Sequence, residues 1–530
     1  MLPSPRTAWS SPRSASMRSA LLTTFVLTSI LSPGQEAARI EVLNADVWKF
    51  EEEVAPGVQR LQGNVRFRHE DAVMQCDSAW LYQERTVKAY GHIRIVQGDT
   101  LTITGERLDY DGKERTATLD GDVVMVDPGT TLRTPALVYD LRNKSATYSG
   151  GGTIVSHAEG DTLTSRVGTY LSDARRFVFS RDVVLRHPER TITSDTLHYH
   201  TATGVAEFFG PTSITQKTSR IECVRGTYDT RTRKADFTQR ARVITDGQEL
   251  EGDSVHYDGE AGIGLAWGHV VATDTANGTT VLGDHGRYDQ RSERSYVTGH
   301  AELLMRSASD TLFMHADSLF AAPDTAGGAR RITARQSVRF FKKDLQGVCD
   351  TLIYAETDSM IRMFHEPVLW SGKDQITGDH IRIALVDGHV HRLYADGNAF
   401  MTSLVDSIHF DQVVGTTMTG FFVNNELDHL ITEGNARTVY YAQETQDSVK
   451  RIVGVNRADC SRILVRVADG EVSSVSFLTQ PDAVLYPLEK APTEELMLPG
   501  FTWRQQERPI DRADIQRKVP TPGLPLWKDP

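Results

Sequence analysis

Little in this sequence points to covalent chemistry. It has no Gly-x-Ser-x-Gly elbow to hold a nucleophile, and Gly372-Lys373 runs into Asp374 without an upstream glycine, so no phosphate-binding loop is present. There is no excess of base: 58 Lys and Arg stand against 70 Asp and Glu. The net charge of −12 excludes nucleic acid as a partner, because a basic stripe is needed to displace phosphate counterions. No window of helical length keeps a 3.6-residue period, and the frequent Val, Thr and Tyr alternate instead, so the body is β-structure. Long apolar runs are missing too. The stretch Ala20 to Leu31 has 12 residues, short of the ~20 that span a bilayer. With Met17-Arg18 before it and Ala37-Ala38 after it, this stretch reads as a secretory signal peptide over residues 1–38, with a retained anchor as the alternative.

What the sequence does have is a repeat of about 29 residues, followed from near Gly63 to about residue 440. Its clearest copy runs Gly91-His92-Ile93-Arg94-Ile95, then Gly98-Asp99-Thr100-Leu101, then Glu106-Arg107-Leu108-Asp109-Tyr110-Asp111. Tyr110, Tyr139, Tyr170, Tyr199, Tyr228, Tyr257 and Tyr288 follow at intervals of 29, 31, 29, 29, 29 and 31 residues. A period of this length signals stacked units that touch only their neighbours, so one elongated body replaces the several domains that the length suggests. Each unit opens on an alternating strand, with Val65 and Phe67, Ile93 and Ile95, Val123 and Met125, and Val270 at matching inward offsets. A second strand carries the tyrosine with an apolar residue two positions earlier: Leu108 and Tyr110, Leu137 and Tyr139, Leu197 and Tyr199, Val255 and Tyr257. A third short strand follows Tyr-Asp, as at Thr116 to Leu119. Three to four short strands per unit predict an all-β, elongated β-jellyroll or V-shaped trough whose inner face collects these apolar ladders. Whether the trough is open or filled stays undecided at this point. Glycines replace the inward neighbour at Gly168, Gly226 and Gly286, which marks missing bulk, a bend, or a gap filled by a neighbouring side chain.

Of the four cysteines, Cys76, Cys223 and Cys349 share one slot in the repeat, five residues before the tyrosine position. Even one strand spacing of ~4.8 Å per unit puts the first two about 24 Å apart, beyond the ~7 Å that a disulfide bridges, so buried thiols are expected. An acidic residue recurs four positions before the tyrosine slot, at Glu106, Asp195, Asp253, Asp284, Asp350 and Asp379. A ladder repeated in unit after unit lacks the singular constellation that catalysis requires, and its expected role is hydrogen bonding at turns and strand ends. His198 with His200, and His389 with His391, share strand faces, but no third ligand stands at metal spacing. No enzyme activity, metal or cofactor is expected.

The repeat predicts a body over residues 39–440, a capping region over 441–505 and an extended or disordered tail over 506–530. A stack of strands leaves unpaired backbone at its ends. The edge Ile40-Glu41-Val42-Leu43 is expected to pair with a partner's strand or with another copy head to tail, and the C-terminal tail to block the opposite end partly.

The succession Gly-Asn/Asp-Val-x-apolar, Gly-Asp-Thr-Leu and Asp-x-Leu-x-Tyr-Asp resembles the OstA-like repeat of lipopolysaccharide-transport proteins, as in LptA and the periplasmic N-terminal part of LptD. Cys76-Asp77-Ser78-Ala79-Trp80-Leu81-Tyr82 and Leu498-Pro499-Gly500-Phe501-Thr502-Trp503, with Arg508-Pro509 beyond, are similar to the longer OstA-like proteins of Bacteroidetes-related bacteria. The resemblance covers residues 40–440 strongly and the tail weakly. It implies a periplasmic bridge that shields the acyl chains of lipopolysaccharide or a related lipid, between an inner-membrane LptC-like and an outer-membrane LptD-like component. The chain departs from the family in being about three times as long as a typical LptA and in lacking room for the LptD barrel. Two other readings remain open: a structural or adhesive β-solenoid with a filled interior, and an anchored LptC-like subunit. A carbohydrate-active β-helix lacks the singular polar cluster that it would need.

Overall fold

The computed structural model describes residues 39–517, except 52, 54–55, 99, 158–159, 246, 276–277, 307–309, 325–328, 424–425, 447–448 and 469–470. The signal peptide expected over residues 1–38, and residues 518–530, lie outside the described residues. The described chain is all β, with four short 3-10 turns near the C-terminus and no α-helix. Strands follow one another as an antiparallel meander in a single ladder. The unit differs from the expected three or four short strands. It consists of two long ones, because the short strand after Tyr-Asp continues into the opening strand of the next unit, as in Thr116–Val126.

That continuity is possible because every second strand bends at a two-residue bulge. In Thr86–Gln97 the pairing jumps from Tyr90↔Arg107 to Ile93↔Gly105, so Gly91 and His92 together oppose Glu106. Both bulged residues have positive φ, 77° and 44°, and the same left-handed pair returns at Gly121-Asp122, Gly268-His269, Gly299-His300 and Gly397-Asn398. Glycine is favoured there for a second reason. A Cβ on Gly91 would lie 2.3 Å from Asp77 Oδ2 on the neighbouring strand. The corner folds each strand from one half-sheet into the other, and the two half-sheets face each other across the core.

The acidic ladder sits opposite these corners rather than at turns or strand ends. Glu106, Asp195, Asp253, Asp284, Asp350 and Asp379 each face a bulged pair. Asp253 bonds His269 Nδ1 at 2.8 Å, Asp284 bonds His300 Nδ1 at 2.9 Å, and Asp379 accepts from Asn398 Nδ2 at 3.1 Å. Turn hydrogen bonds belong to the aspartate that follows each tyrosine. Asp111, Asp140, Asp229, Asp258 and Asp289 accept from the backbone amides two and three residues on.

Alternation delivers one side chain in two to the space between the half-sheets. The result is one apolar cluster from Ile40 to Val270 and a second from Val297 to Val465. Between them the strand Thr279–Asp289 contributes no fully buried residue. All four cysteines are buried and free. Burial pushes the Cys76 and Cys223 thiols up to about 12, which keeps them protonated.

The C-terminal end departs most from expectation. Strands continue through Val449–Ala468, Glu471–Leu478 and Asp482–Tyr486. The following segment, residues 487–517, does not close the end of the stack. It runs back as a strap over the outer face of the second half. Leu496 and Leu498 meet Gln412, Thr502 and Arg504 meet Gln375, Arg508 meets Gln346, and Arg512 meets Glu302. Beneath the strap the outward positions are apolar and buried, among them Leu304, Val348, Trp370, Phe400 and Tyr441. Gln375 and Gln412 each offer a whole amide to the strap, accepting from one backbone N–H and donating to a carbonyl two residues away, at 2.8–2.9 Å. They pair with the strap as a backbone peptide unit would, one donor and one acceptor each.

Under this region burial pushes the Asp374 carboxyl up to about 6 and that of Asp411 up to about 7. Their ordinary value is 3.8. Asp411 is raised further by the Asp374 charge, against the pull of the Tyr441 amide at 2.8 Å. The folded protein therefore holds protons that the unfolded chain releases between about pH 4 and pH 7, and stability from this pair is lost as pH rises through that window. The second half should melt at a higher temperature at pH 5 than at pH 8. Asp411→Asn should flatten that difference, and an unchanged pH slope in the variant would refute the assignment to this carboxyl.

Candidate functional site

The interior is the candidate site, and the strand ladder builds it. Val65, Phe67, Ile93, Ile95, Leu108, Tyr110, Val123, Met125, Leu137, Tyr139, Leu197, Val255 and Val270 are buried in the first apolar cluster. Tyr199 and Tyr257 pack against it partly buried. Exposures of 0–3% for the buried set mean that the interior is filled by its own side chains along this stretch.

The tyrosine series has a role that its period did not disclose. Tyr110 lies at one end of its strand, and in a flat sheet it would sit about 30 Å from the level of His69. Instead its hydroxyl meets His69 Nδ1, and Tyr139 donates to Gln97 Oε1. Tyr170 donates to Asp127 Oδ2 at 2.6 Å. Each contact reaches from the tyrosine half-sheet to the hairpin end of the other, opposite the corners, so these tyrosines clasp the free seam of the sandwich. Burial raises all three phenols, which keeps them protonated donors. The clasp partners were legible, though unread: His69, Gln97 and Asp127 take the third inward offset after Val65 and Phe67, Ile93 and Ile95, and Val123 and Met125.

The clasp weakens along the chain. At Tyr228 it becomes the Arg190 guanidinium 5.2 Å above the ring. Tyr257 and Tyr288 have no hydrogen-bond partner among the described residues, and Tyr288 is 41% exposed at an inward offset. The glycines tell the same story. A Cβ on Gly168 would strike the Tyr148 ring at 2.4 Å and one on Gly226 the Phe237 ring at 2.7 Å, so neighbouring aromatics fill both gaps. Gly286 meets only Val270 and Ala266, at 3.1 and 3.9 Å. In the register row Tyr257↔Gly264↔Tyr288, a Cβ on Gly264 would find nothing within 4 Å. The corresponding position between Tyr110 and Tyr139 is Ala117.

The strand at the edge expected over Ile40 to Leu43 runs one residue later, over Glu41–Asn44. Glu41–Asn44 and Val47–Phe50 pair only inward, with Val58–His69, and Leu43, Val47, Trp48 and Phe50 are exposed. Ile40 does not belong to that edge. Its amide donates to Glu84 O at 3.2 Å and its side chain is buried in the core. His198 and His200 both face Glu207, at 3.7 Å. Among the described residues no group of three or more His, Cys, Asp or Glu is arranged to hold a metal ion.

Two family models match the chain. The OstA-like protein family matches residues 37–195 and 180–253, and the LptA/(LptD N-terminal domain) LPS transport protein family matches residues 280–389. The interval between the matches contains Gly264 and the last residues of the first apolar cluster, Val255, Ala266 and Val270. No curated protein matches the sequence. Among solved structures, LptH from Pseudomonas aeruginosa, described as the LptA homologous periplasmic component of the conserved lipopolysaccharide transport device, is 16% identical over 19% of this chain and 76% of its own, with a TM-score of 0.18.

Proposed function

Since the chain belongs to the OstA-like family of lipopolysaccharide-transport proteins, we propose that it is a periplasmic component that shields the acyl chains of lipopolysaccharide, or of a related lipid, as they pass between the membranes. The observation that carries this reading is the apolar cluster running from Ile40 to Val270 with a seam closed by side-chain clasps. Each methylene kept from water is worth ~0.8 kcal/mol, while a neutral hydrogen bond contributes about 0.5–1.5 kcal/mol net. A few methylenes therefore outweigh one clasp. A chain can enter by parting the seam without breaking any backbone ladder, and the protein supplies a path while energy comes from elsewhere. The leader at 1–38 would export the chain. The edge Glu41–Asn44 with Val47–Phe50 would receive a strand from an LptC-like or LptD-like component or from a second copy, extending the interior across the junction. The filled interior favours the second reading, a structural β-solenoid.

One experiment separates them. A photocrosslinker placed in cells at Met125 should label lipopolysaccharide, one at Leu43 should label protein, and one at outward Arg94 should label neither. Equal lipid labelling from Met125 and Arg94, or none from either, would leave only the structural reading.

A further inference from the structure

Two grooves lie on the outer face, and their charges differ. One, of about 590 Å3, is lined by Arg220 and Arg242 together with Glu222 and Glu251. Its arginines are already paired: Arg220 with Glu222, and Arg242 with Glu222, Glu249 and Glu251. The other, of about 550 Å3, is lined by Arg287, Arg294, Arg335, Tyr296, Phe320 and Asp289, among others. None of these three arginines has an ion-pair partner among the described residues. The single carboxylate, Asp289, is committed to its turn, accepting from the amides of Arg291 and Ser292 at 3.0 and 3.1 Å. Tyr296 and Phe320 meet at 6.1 Å between ring centroids, and the Arg335 guanidinium lies 5.5 Å over the Phe320 ring. A protein with a net charge of −12 thus gathers three guanidinium groups around an aromatic floor against one carboxylate, Asp289, whose charge acts on Arg287. Planar forks of this kind match phosphate oxygens in pairs.

The groove also adjoins the unclasped seam. Tyr288, exposed at its inward offset, stands in the chain between Arg287 and Asp289, and across from it lies the empty space over Gly264. We propose that this groove and the adjoining seam form one binding site for a phosphate-bearing amphiphile. The phosphate is held by Arg287, Arg294 and Arg335, the first part of the head lies on Tyr296 and Phe320, and one alkyl chain enters beside Gly264. The site rests on the lipid-conduit reading for the source of its ligand, and it makes the junction between the two apolar clusters a point of lateral entry.

The test uses the full chain, with dodecyl phosphate below its micelle-forming concentration as probe, measured by calorimetry. Inorganic phosphate supplies the charge without the chain, and dodecyl maltoside the chain without the charge. Dodecyl phosphate should bind at least about tenfold more tightly than either, because burial of a few methylenes separates it from inorganic phosphate by about that factor and a hydrogen bond to a charged group separates it from the maltoside by about as much. Arg287→Glu with Arg335→Glu should weaken it by about tenfold or more. Gly264→Leu, which has room for its side chain, should weaken dodecyl phosphate but leave inorganic phosphate unchanged. Unaltered thermal melting of the variants, whose substitutions lie on the surface or in open space, excludes misfolding as the cause. Wild-type affinity in the arginine double variant, or inorganic phosphate binding as tightly as dodecyl phosphate, would overturn the site. If interior crosslinks to lipopolysaccharide persist while the double variant binds normally, the site falls and the conduit stands. If those crosslinks never form but dodecyl phosphate binding depends on Arg287 and Arg335, the site stands and the conduit falls.

Discussion

Leu108→Asp is expected to abolish the folded first half of the protein, whereas Arg94→Asp should leave it intact. Leu108 is 3% exposed in the middle of the first apolar cluster. The substitution removes about 1.5–3 kcal/mol of burial and places an unpaired carboxylate where desolvation costs several kcal/mol more. Together these approach the total stability of ~5–15 kcal/mol that a domain has to lose. Arg94 points outward and is exposed, and a surface change of this kind usually stays within about 0.5 kcal/mol. Urea unfolding followed by circular dichroism distinguishes the two. A Leu108→Asp protein with a near-native midpoint would mean that the interior is wet enough to solvate a charge, and the apolar path would be lost with it.

Truncation after Tyr486 should have the second large effect, confined to the second half. The strap covers Leu304, Val348, Trp370, Phe400 and Tyr441, and Trp370 is 0% exposed. Uncovering them returns several large side chains to water, at about 1.5–3 kcal/mol each. The truncated protein should bind a hydrophobic dye, aggregate on warming and show two melting transitions, with the lower one from the half that lost its cover. Gln375→Ala and Gln412→Ala should reproduce part of this, each by about 1–3 kcal/mol, because each strands a backbone donor and acceptor of the strap. A single transition at the wild-type temperature after truncation would show that the strap contributes nothing to stability.

The repeat made the strand ladder and its inward positions legible. Val65, Ile93, Met125 and the rest occupy the interior because alternation is a local property, fixed by the two-residue period of a strand. What could not be read was whatever depends on the bend. The corner at Gly91-His92 looks like the start of a strand, since the bulge breaks the alternation there without ending the hydrogen-bond ladder, and this is why two long strands read as three short ones. The clasps were unread for the same reason. Tyr110 and His69 are 41 residues apart, and they meet only because both half-sheets fold about the corner. The strap was the least legible element. Its sequence, Leu498-Pro499-Gly500-Phe501-Thr502-Trp503, has no periodicity of its own, and its docking face is built from Gln346, Gln375 and Gln412, which in isolation look like solvent-facing residues of an edge.

The recurring bulge also governs how such a protein can change its reach. One strand alone would reverse the direction of the chain and arrive at the next hairpin without a fold of its own. The smallest insertion that restores direction, bend and inward phase is a pair of strands, about 29 residues, and it lengthens the body by roughly 9.6 Å, twice the strand spacing. Length in this architecture is therefore counted in whole copies rather than tuned residue by residue. Under the proposed bridging role, the gap between two membranes would be matched by gaining or losing whole repeats, and small indels would be confined to the hairpin loops, where they alter neither the count nor the alignment.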